Sequence, residues 1–263
     1  MQTSKTIWVT GASSGIGEAC AYLWAKEKAN LILTATRVER LKEVQETCIR
    51  LGARCEILPY DLSALEGIDG LVDKAIDIFG TIDIAFLNAG ISQRSKALDT
   101  AYSVDEKIMA VNFFAPVKIA KRLLPNMIMR GGGTVAVTSS ISGKFGFPLR
   151  SAYASSKFAL YGFFETVHAE YYDRNIRVVM VCPGRIHTNI SYNALEADGS
   201  KHAQMDEGQE AGMPAEKAAE KIVRAIKKRK PEVLVGGKEL LMVYIKRFFP
   251  GLARTMVRKI KAT

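Results

Sequence analysis

Short, uniformly apolar runs alternate with longer amphipathic ones along the whole chain. TIWVTG (6–11) reads as a buried strand and residues 15–28 as a helix. NLILTAT (30–36) is a second strand, and 37–51 a helix with Arg37, Arg40, Lys42 and Glu43 on its polar side. The alternation continues through RCEILPYD (54–61), a helix over 64–79, IDIAFLNAG (82–90) and a long helix over about 103–130. It ends with TVAVTSS (134–140), a helix over 151–174, IRVVMVCPG (176–184), a helix over 214–229 and EVLVG (232–236). Strands apolar on both faces, each followed by a helix, predict an α/β fold: a doubly wound parallel sheet covered by helices on both sides. One stretch breaks the rhythm. Residues 189–213 are polar and contain glycine, as an exposed loop or a lid over a site would.

The first strand–helix junction, TGASSGIG (10–17), holds Gly11, Gly15 and Gly17. Glycine allows a tight turn and close approach of the backbone to a pyrophosphate. A helix N-terminus then offers N–H groups and a positive dipole end to the phosphates. Gly17 also lets the helix pack closely on the sheet. At the end of the second strand, where an acid would hold the 2′-hydroxyl of NAD, the chain reads TATRVER. Arg37 suits a 2′-phosphate instead, so NADP(H) is preferred over NAD(H). The alternative is that Arg37 only opens a solvated helix.

The length of 263 residues fits one large α/β domain, and 48 % hydrophobic with 24 % charged residues is ordinary for a globular protein. Cys20, Cys48, Cys55 and Cys182 form no Cys-x-x-Cys pair, and His168, His187 and His202 are scattered. Neither a metal site nor a disulfide framework is expected. The N-terminus carries no secretory pattern and no apolar run is long enough to span a membrane, so a cytoplasmic location is expected. The formal net charge is +10, but residues 227–263 hold eleven Lys or Arg against Glu232 and Glu239. That segment carries +9 and the body +1. The basic character is local, which argues against general nucleic-acid binding.

In SAYASSKFAL (151–160), Tyr153 and Lys157 stand four residues apart and so share a helix face. Alone, such a pair is most simply a partly exposed helix with a snorkelling lysine. Its company changes the reading. TGASSGIG (10–17), YDL (60–62), NAG (88–90), Asn112 in MAVNFFAP, Ser140 in TSSISG, YASSK (153–157) and PGRIHT (183–188) occur in order at compatible spacing. Together they resemble the short-chain dehydrogenase/reductase family. The resemblance covers nearly the whole body and implies a seven-stranded Rossmann sheet in the order 3-2-1-4-5-6-7.

The resemblance implies a catalytic set of Asn112, Ser140, Tyr153 and Lys157. Reducing a carbonyl needs a hydride on carbon and a proton on oxygen, and a nicotinamide cofactor supplies only the hydride. A phenol with an ordinary pKa of about 10 needs a nearby cation to exchange protons near neutrality. Lys157 can supply it and can hold the nicotinamide ribose. Ser140 can hydrogen-bond the substrate oxygen. Ser139 would point to the opposite face if the strand persists. The Asn matching Asn112 binds a water that links the lysine to a proton relay.

For the cofactor, the resemblance points to Gly11, Ser13, Ser14, Gly15, Ile16, Gly17 and Arg37, with Asp61 and Leu62 beside the adenine. Asn88 and Gly90 line the cleft, Tyr153 and Lys157 reach the nicotinamide ribose, Pro183 and Gly184 pass the nicotinamide, and Thr188 bonds the carboxamide. The expected activity is an NADP(H)-dependent carbonyl reductase or alcohol dehydrogenase, working as a homodimer or homotetramer. Phe145, Phe147, Leu149, Ile186, Tyr192 and Leu195 suggest an apolar lining for a small lipophilic carbonyl or alcohol substrate such as a steroid, retinoid or acyl compound. The alternatives are a non-catalytic dinucleotide-binding protein and a peripheral membrane interaction protein on the same fold.

Residues 1–237 read as one catalytic domain with a lid at about 189–213, and 238–263 as a basic amphipathic extension. The extension mixes Leu240, Leu241, Val243, Tyr244, Ile245, Phe248 and Phe249 with many bases. It fits either an anionic membrane surface, giving peripheral association, or packing against the body or another subunit. The stretches DEGQEAGM and VYIKRFFPGLARTMVRK are similar to the family-member-7 branch of these reductases, some of which carry an N-terminal membrane anchor. No such anchor is seen in this sequence.

Overall fold

The computed structural model describes residues 4–260. The first half alternates β1 (Thr6–Thr10), α1 (Gly15–Lys26), β2 (Asn30–Thr34), α2 (Val38–Arg50), β3 (Arg54–Ile57), α3 (Ile68–Phe79) and β4 (Ile84–Leu87). Next come α4 (Tyr102–Met109), α5 (Ala115–Met129), β5 (Gly133–Thr138), α6 (Ser151–Tyr171) and β6 (Ile176–Pro183). The remainder holds β7 (Ile186–His187), α7 (Glu207–Glu210), β8 (Met213–Pro214), α8 (Ala215–Lys227), β9 (Glu232–Val235), α9 (Leu241–Phe248) and α10 (Pro250–Val257).

Seven strands form one parallel sheet in the order β3-β2-β1-β4-β5-β6-β9. It is a Rossmann-type doubly wound sheet. Two apolar layers explain why the middles of its central strands are apolar and their polar residues, such as Thr6, Thr10, Thr134 and Thr138, fall near the strand ends. On one face Cys20 and Trp24 of α1, Leu41 and Val44 of α2, and Ile222 of α8 pack with Val9, Leu33 and Val181. On the other, Val72 of α3, Ile119 and Leu123 of α5, and Phe164 of α6 pack with Trp8, Ile32 and Val178. The chain lays β1, β2 and β3 outward in one direction, then crosses back to set β4 beside β1. The crevice beyond the carboxyl ends of β1 and β4 is therefore the switch point where such sheets bind ligands.

Two expectations change. The helix over 103–130 is α4 and α5 joined by a π turn, Ala110–Phe114, which holds Asn112. The third and fourth strands stop at Ile57 and Leu87, because LPYD and NAG leave the sheet at its carboxyl edge. Residues 189–213 remain largely exposed between a few anchored positions. The segment is tied down by bridges of Leu195 to Gln93 and Lys201, and by the short β7–β8 ladder.

The last helices, α9 and α10, pack on each other and on the body. Leu240, Met242, Val243, Val257 and Ile260 cover Ile141, Phe145 and Cys182. The tail residues 261–263 lie outside the described residues. Among the described residues no helix is long and apolar enough to cross a membrane. Among the described residues there is also no cluster of His, Cys, Asp and Glu fit for a metal.

Candidate active site

The glycine turn is built by backbone. Gly11 has φ +67°, and a Cβ there would lie 2.8 Å from the Ala89 Cα. A Cβ on Gly17 would lie 2.3 Å from the Gly11 carbonyl oxygen, so α1 starts pressed against the turn. Ser14, at the N-cap, makes no side-chain cap. Its hydroxyl instead accepts from Arg37 Nη2 at 2.9 Å, and the same nitrogen reaches Ser13 Oγ at 3.2 Å. Arg37 therefore lies across the turn rather than along a solvated helix. Asn88 stitches the rear of the turn: Nδ2 donates to the Thr10 and Gly11 carbonyls, and Oδ1 accepts from Thr138.

A cleft of about 530 Å³ runs over this turn along the strand ends. It is lined by Gly11, Ser13, Ser14, Gly15, Ile16, Arg37, Asp61, Leu62, Asn88, Gly90, Ser140, Tyr153, Lys157, Pro183, Gly184 and Thr188. Gly17 is the one expected cofactor residue that does not line it; its place is the helix contact behind the turn. The positive-φ glycine, the uncapped helix start and the cradling arginine fit the phosphates of a dinucleotide.

At the inner end Ser140 and Tyr153 face both this cleft and a smaller cavity of about 120 Å³. Ser139 Oγ instead turns to α6 and donates to the Lys157 carbonyl. Lys157 Nζ donates to the Thr138 carbonyl at 2.8 Å and lies 5.7 Å from the Tyr153 ring centre. Burial lowers its pKa to about 7. Burial pushes the Tyr153 phenol up, against the Ser140 hydroxyl and then Arg150 and Arg94, which pull it down. The nearby cations acting on the phenol thus include two arginines that the sequence motifs do not mark.

Asn112 lies behind the cleft, fully buried. Its side chain accepts from the Ile91 N–H and donates to the Ile91 carbonyl and to Ser156 Oγ on α6. The π turn is the reason: one widened turn swings this amide out of the helix ladder and into the loop after β4.

The smaller cavity is walled by charge as well as by Phe145 and Phe147. Asp206 accepts from Arg94 Nη2 at 2.6 Å and from Arg150 Nη2 at 3.1 Å, and all three side chains are buried. Gln93, also buried, accepts the Ala152 and Tyr153 N–H groups at its Oε1. Its Nε2 donates to Ser151 Oγ, so this one amide holds the first turn of the helix that carries Tyr153. Ile186 and Leu195 line the larger cleft rather than the smaller cavity, whereas Leu149 and Tyr192 line neither. Leu149 is diverted by its left-handed backbone (φ +62°), and Tyr192 is exposed. No spacing in the sequence pairs Arg94, Arg150 and Asp206; only the fold brings them together.

A family model described as short chain dehydrogenase matches residues 5–199. Dehydrogenase/reductase SDR family member 7B of Bos taurus is 39 % identical over 257 residues, covering 95 % of this chain and 79 % of that protein. The structure is similar to an alcohol dehydrogenase from Thermococcus sibiricus complexed with 5-hydroxy-NADP, at 24 % identity and a TM-score of 0.78, covering 90 % of this chain and 97 % of that one. It is also similar to a short-chain dehydrogenase/reductase from Burkholderia phymatum in complex with NAD, at 21 % identity and a TM-score of 0.83, covering 99 % and 97 %.

Proposed function

The chain belongs to the short-chain dehydrogenase family of oxidoreductases, and from that premise we propose that it interconverts a carbonyl and a secondary alcohol on a lipophilic substrate with NADP(H). The observation that carries this reading is the seam at Ser140 and Tyr153, which line both the cleft over the glycine turn and the cavity walled by Phe145 and Phe147. A cofactor in the cleft and a carbonyl in the cavity would meet at the phenol.

When bound, the nicotinamide group supplies or accepts the hydride at the substrate carbon. In reduction, the Tyr153 hydroxyl gives its proton to the oxygen as that oxygen gains charge. Ser140 donates a hydrogen bond to the same oxygen, stabilising it most when the charge is greatest. Protonated Lys157 favours the phenolate that Tyr153 leaves behind, and Arg150 with Arg94 acts in the same sense. Asn112 holds the loop after β4 against α6 and so keeps Lys157 in register beside Gly90.

Arg37 supports the choice of NADP(H). Its guanidinium lies over Ser13 and Ser14, where a 2′-phosphate could take up further donors, and neither Thr36 nor Ala35 offers an acid for a free 2′-hydroxyl. A spectrophotometric screen of a carbonyl library with NADPH and NADH tests the reading. Turnover of a lipophilic ketone or aldehyde with NADPH preferred is the expected result. Tighter binding of NADH than NADPH overturns the cofactor choice, and cofactor binding without turnover of any carbonyl or alcohol overturns the activity.

A further inference from the structure

The two last helices have unlike faces. Inward, Leu240, Met242, Val243, Val257 and Ile260 cover the body, and Met242 and Ile260 form part of the wall of the smaller cavity. Outward, Leu241, Tyr244 and Phe248 recur at helical spacing on α9, followed by Phe249, then Leu252 and Met256 one turn apart on α10. Phe248 and Phe249 are 66 % and 63 % exposed, far more than isolated packing would leave such side chains. Arg247, Arg254, Arg258 and Lys259 are exposed among them. From Leu241 to Ile260 there is no acidic residue.

We propose that this outer face is a docking surface for an anionic lipid bilayer. Exposed aromatic and aliphatic side chains fit the headgroup–acyl boundary, and the bases meet the negative surface potential there. A second copy of the chain fits less well. A two-fold contact would set the same bases against one another with no acid in the segment to neutralise them. Because Met242 on the inner side of α9 and Ile260 just beyond α10 wall the cavity, docking sets the segment that closes it against the lipid. This places the proposed site for a lipophilic substrate beside its reservoir, a consequence that rests on the oxidoreductase reading. The docking itself does not.

Cosedimentation of the full chain with vesicles tests it without any turnover. Binding to phosphatidylserine–phosphatidylcholine vesicles should be strong at low salt and lost at high salt, with phosphatidylcholine vesicles bound weakly. The triple variant Arg247→Gln/Arg254→Gln/Arg258→Gln should lower the affinity roughly a hundredfold. Phe248→Ser/Leu252→Ser should abolish binding with an unchanged urea midpoint, since these side chains face outward. Equal binding to neutral vesicles, or unaltered binding by either folded variant, overturns the proposal. So does sedimentation equilibrium showing a dimer of the parent chain that Phe248→Ser/Leu252→Ser dissolves, which makes the face a contact between copies. Retained vesicle binding by a chain that turns over no carbonyl leaves the docking intact and removes only the substrate consequence.

Discussion

The long cleft and the smaller cavity share Ser140 and Tyr153 yet are made of different material. The phosphate end of the cleft is backbone: a glycine turn, an uncapped helix start and carbonyls stitched by Asn88. The cavity wall is side chain, held by one carboxylate between two guanidiniums. Asp206 lies 112 residues from Arg94 and 56 from Arg150. A site built from backbone tolerates most side-chain changes and fails when a glycine gains a Cβ. A site built from a buried charge cluster fails when one member is lost, because the partners remain buried and uncompensated.

The largest expected effect lies on the seam. Tyr153→Phe keeps the ring and the NADPH affinity but removes the proton, so turnover of any accepted substrate should fall by about 10²–10⁴-fold in steady-state assays. Undiminished turnover would mean that the two cavities do not meet at the reacting oxygen. Next comes the cavity wall. Asp206→Asn leaves Arg94 and Arg150 facing each other, and urea unfolding should show a loss of about 3–5 kcal/mol while NADPH titration of the folded protein is unchanged. A loss of both stability and cofactor affinity would mean that the cleft and the cavity wall stand as one structure.

On the cleft side, Arg37→Asp should erase or reverse the preference for NADPH over NADH, a change of roughly ten- to a hundredfold in fluorescence titrations, with no shift in the unfolding midpoint. The smallest effect is a slope. Burial holds Lys157 at about 7 in the folded chain, against an ordinary 10.5. Between those values the unfolded chain binds a proton that the folded chain lacks, so this lysine makes cofactor-free stability rise with pH, by at most about 1.4 kcal/mol per unit. Below about 7 its penalty is present in full. Comparing parent and Lys157→Met from pH 7 to pH 9, two unfolding series set by that value, should show the rise flattened in the variant. Parallel curves would mean that Lys157 stays charged when folded.

The same division governs what the sequence discloses. The alternation of apolar and amphipathic runs is enough for the sheet, since burial on both faces leaves no room for polar positions in Trp8, Val9, Leu33 or Phe86. The glycine turn and the Tyr153–Lys157 pair are legible because their geometry is local: a turn, and one helical repeat. Arg94, Arg150 and Asp206 fall in the loops after β4 and β5 and in the 189–213 segment that a linear reading places around the substrate, but nothing in that reading pairs them, and only the fold buries them together. Gln93 is hidden for a related reason. An amide that caps a helix from 58 or more residues away leaves no periodic trace. The break between α4 and α5 is invisible because a π turn preserves apolar spacing closely enough to pass for one helix.

That break has a consequence in chain length. A π turn is an α-helix with one residue more than its path requires. Deleting a residue within Ala110–Phe114 would let α4 run into α5 without the widened turn, interrupted only where Pro116 and Pro125 lack an N–H. The helix would gain, and the Asn112 amide would swing away from Ile91 and Ser156, leaving their polar groups buried and unmatched. The chain thus keeps a flaw in its regular structure at the one place where a better helix would make a worse site.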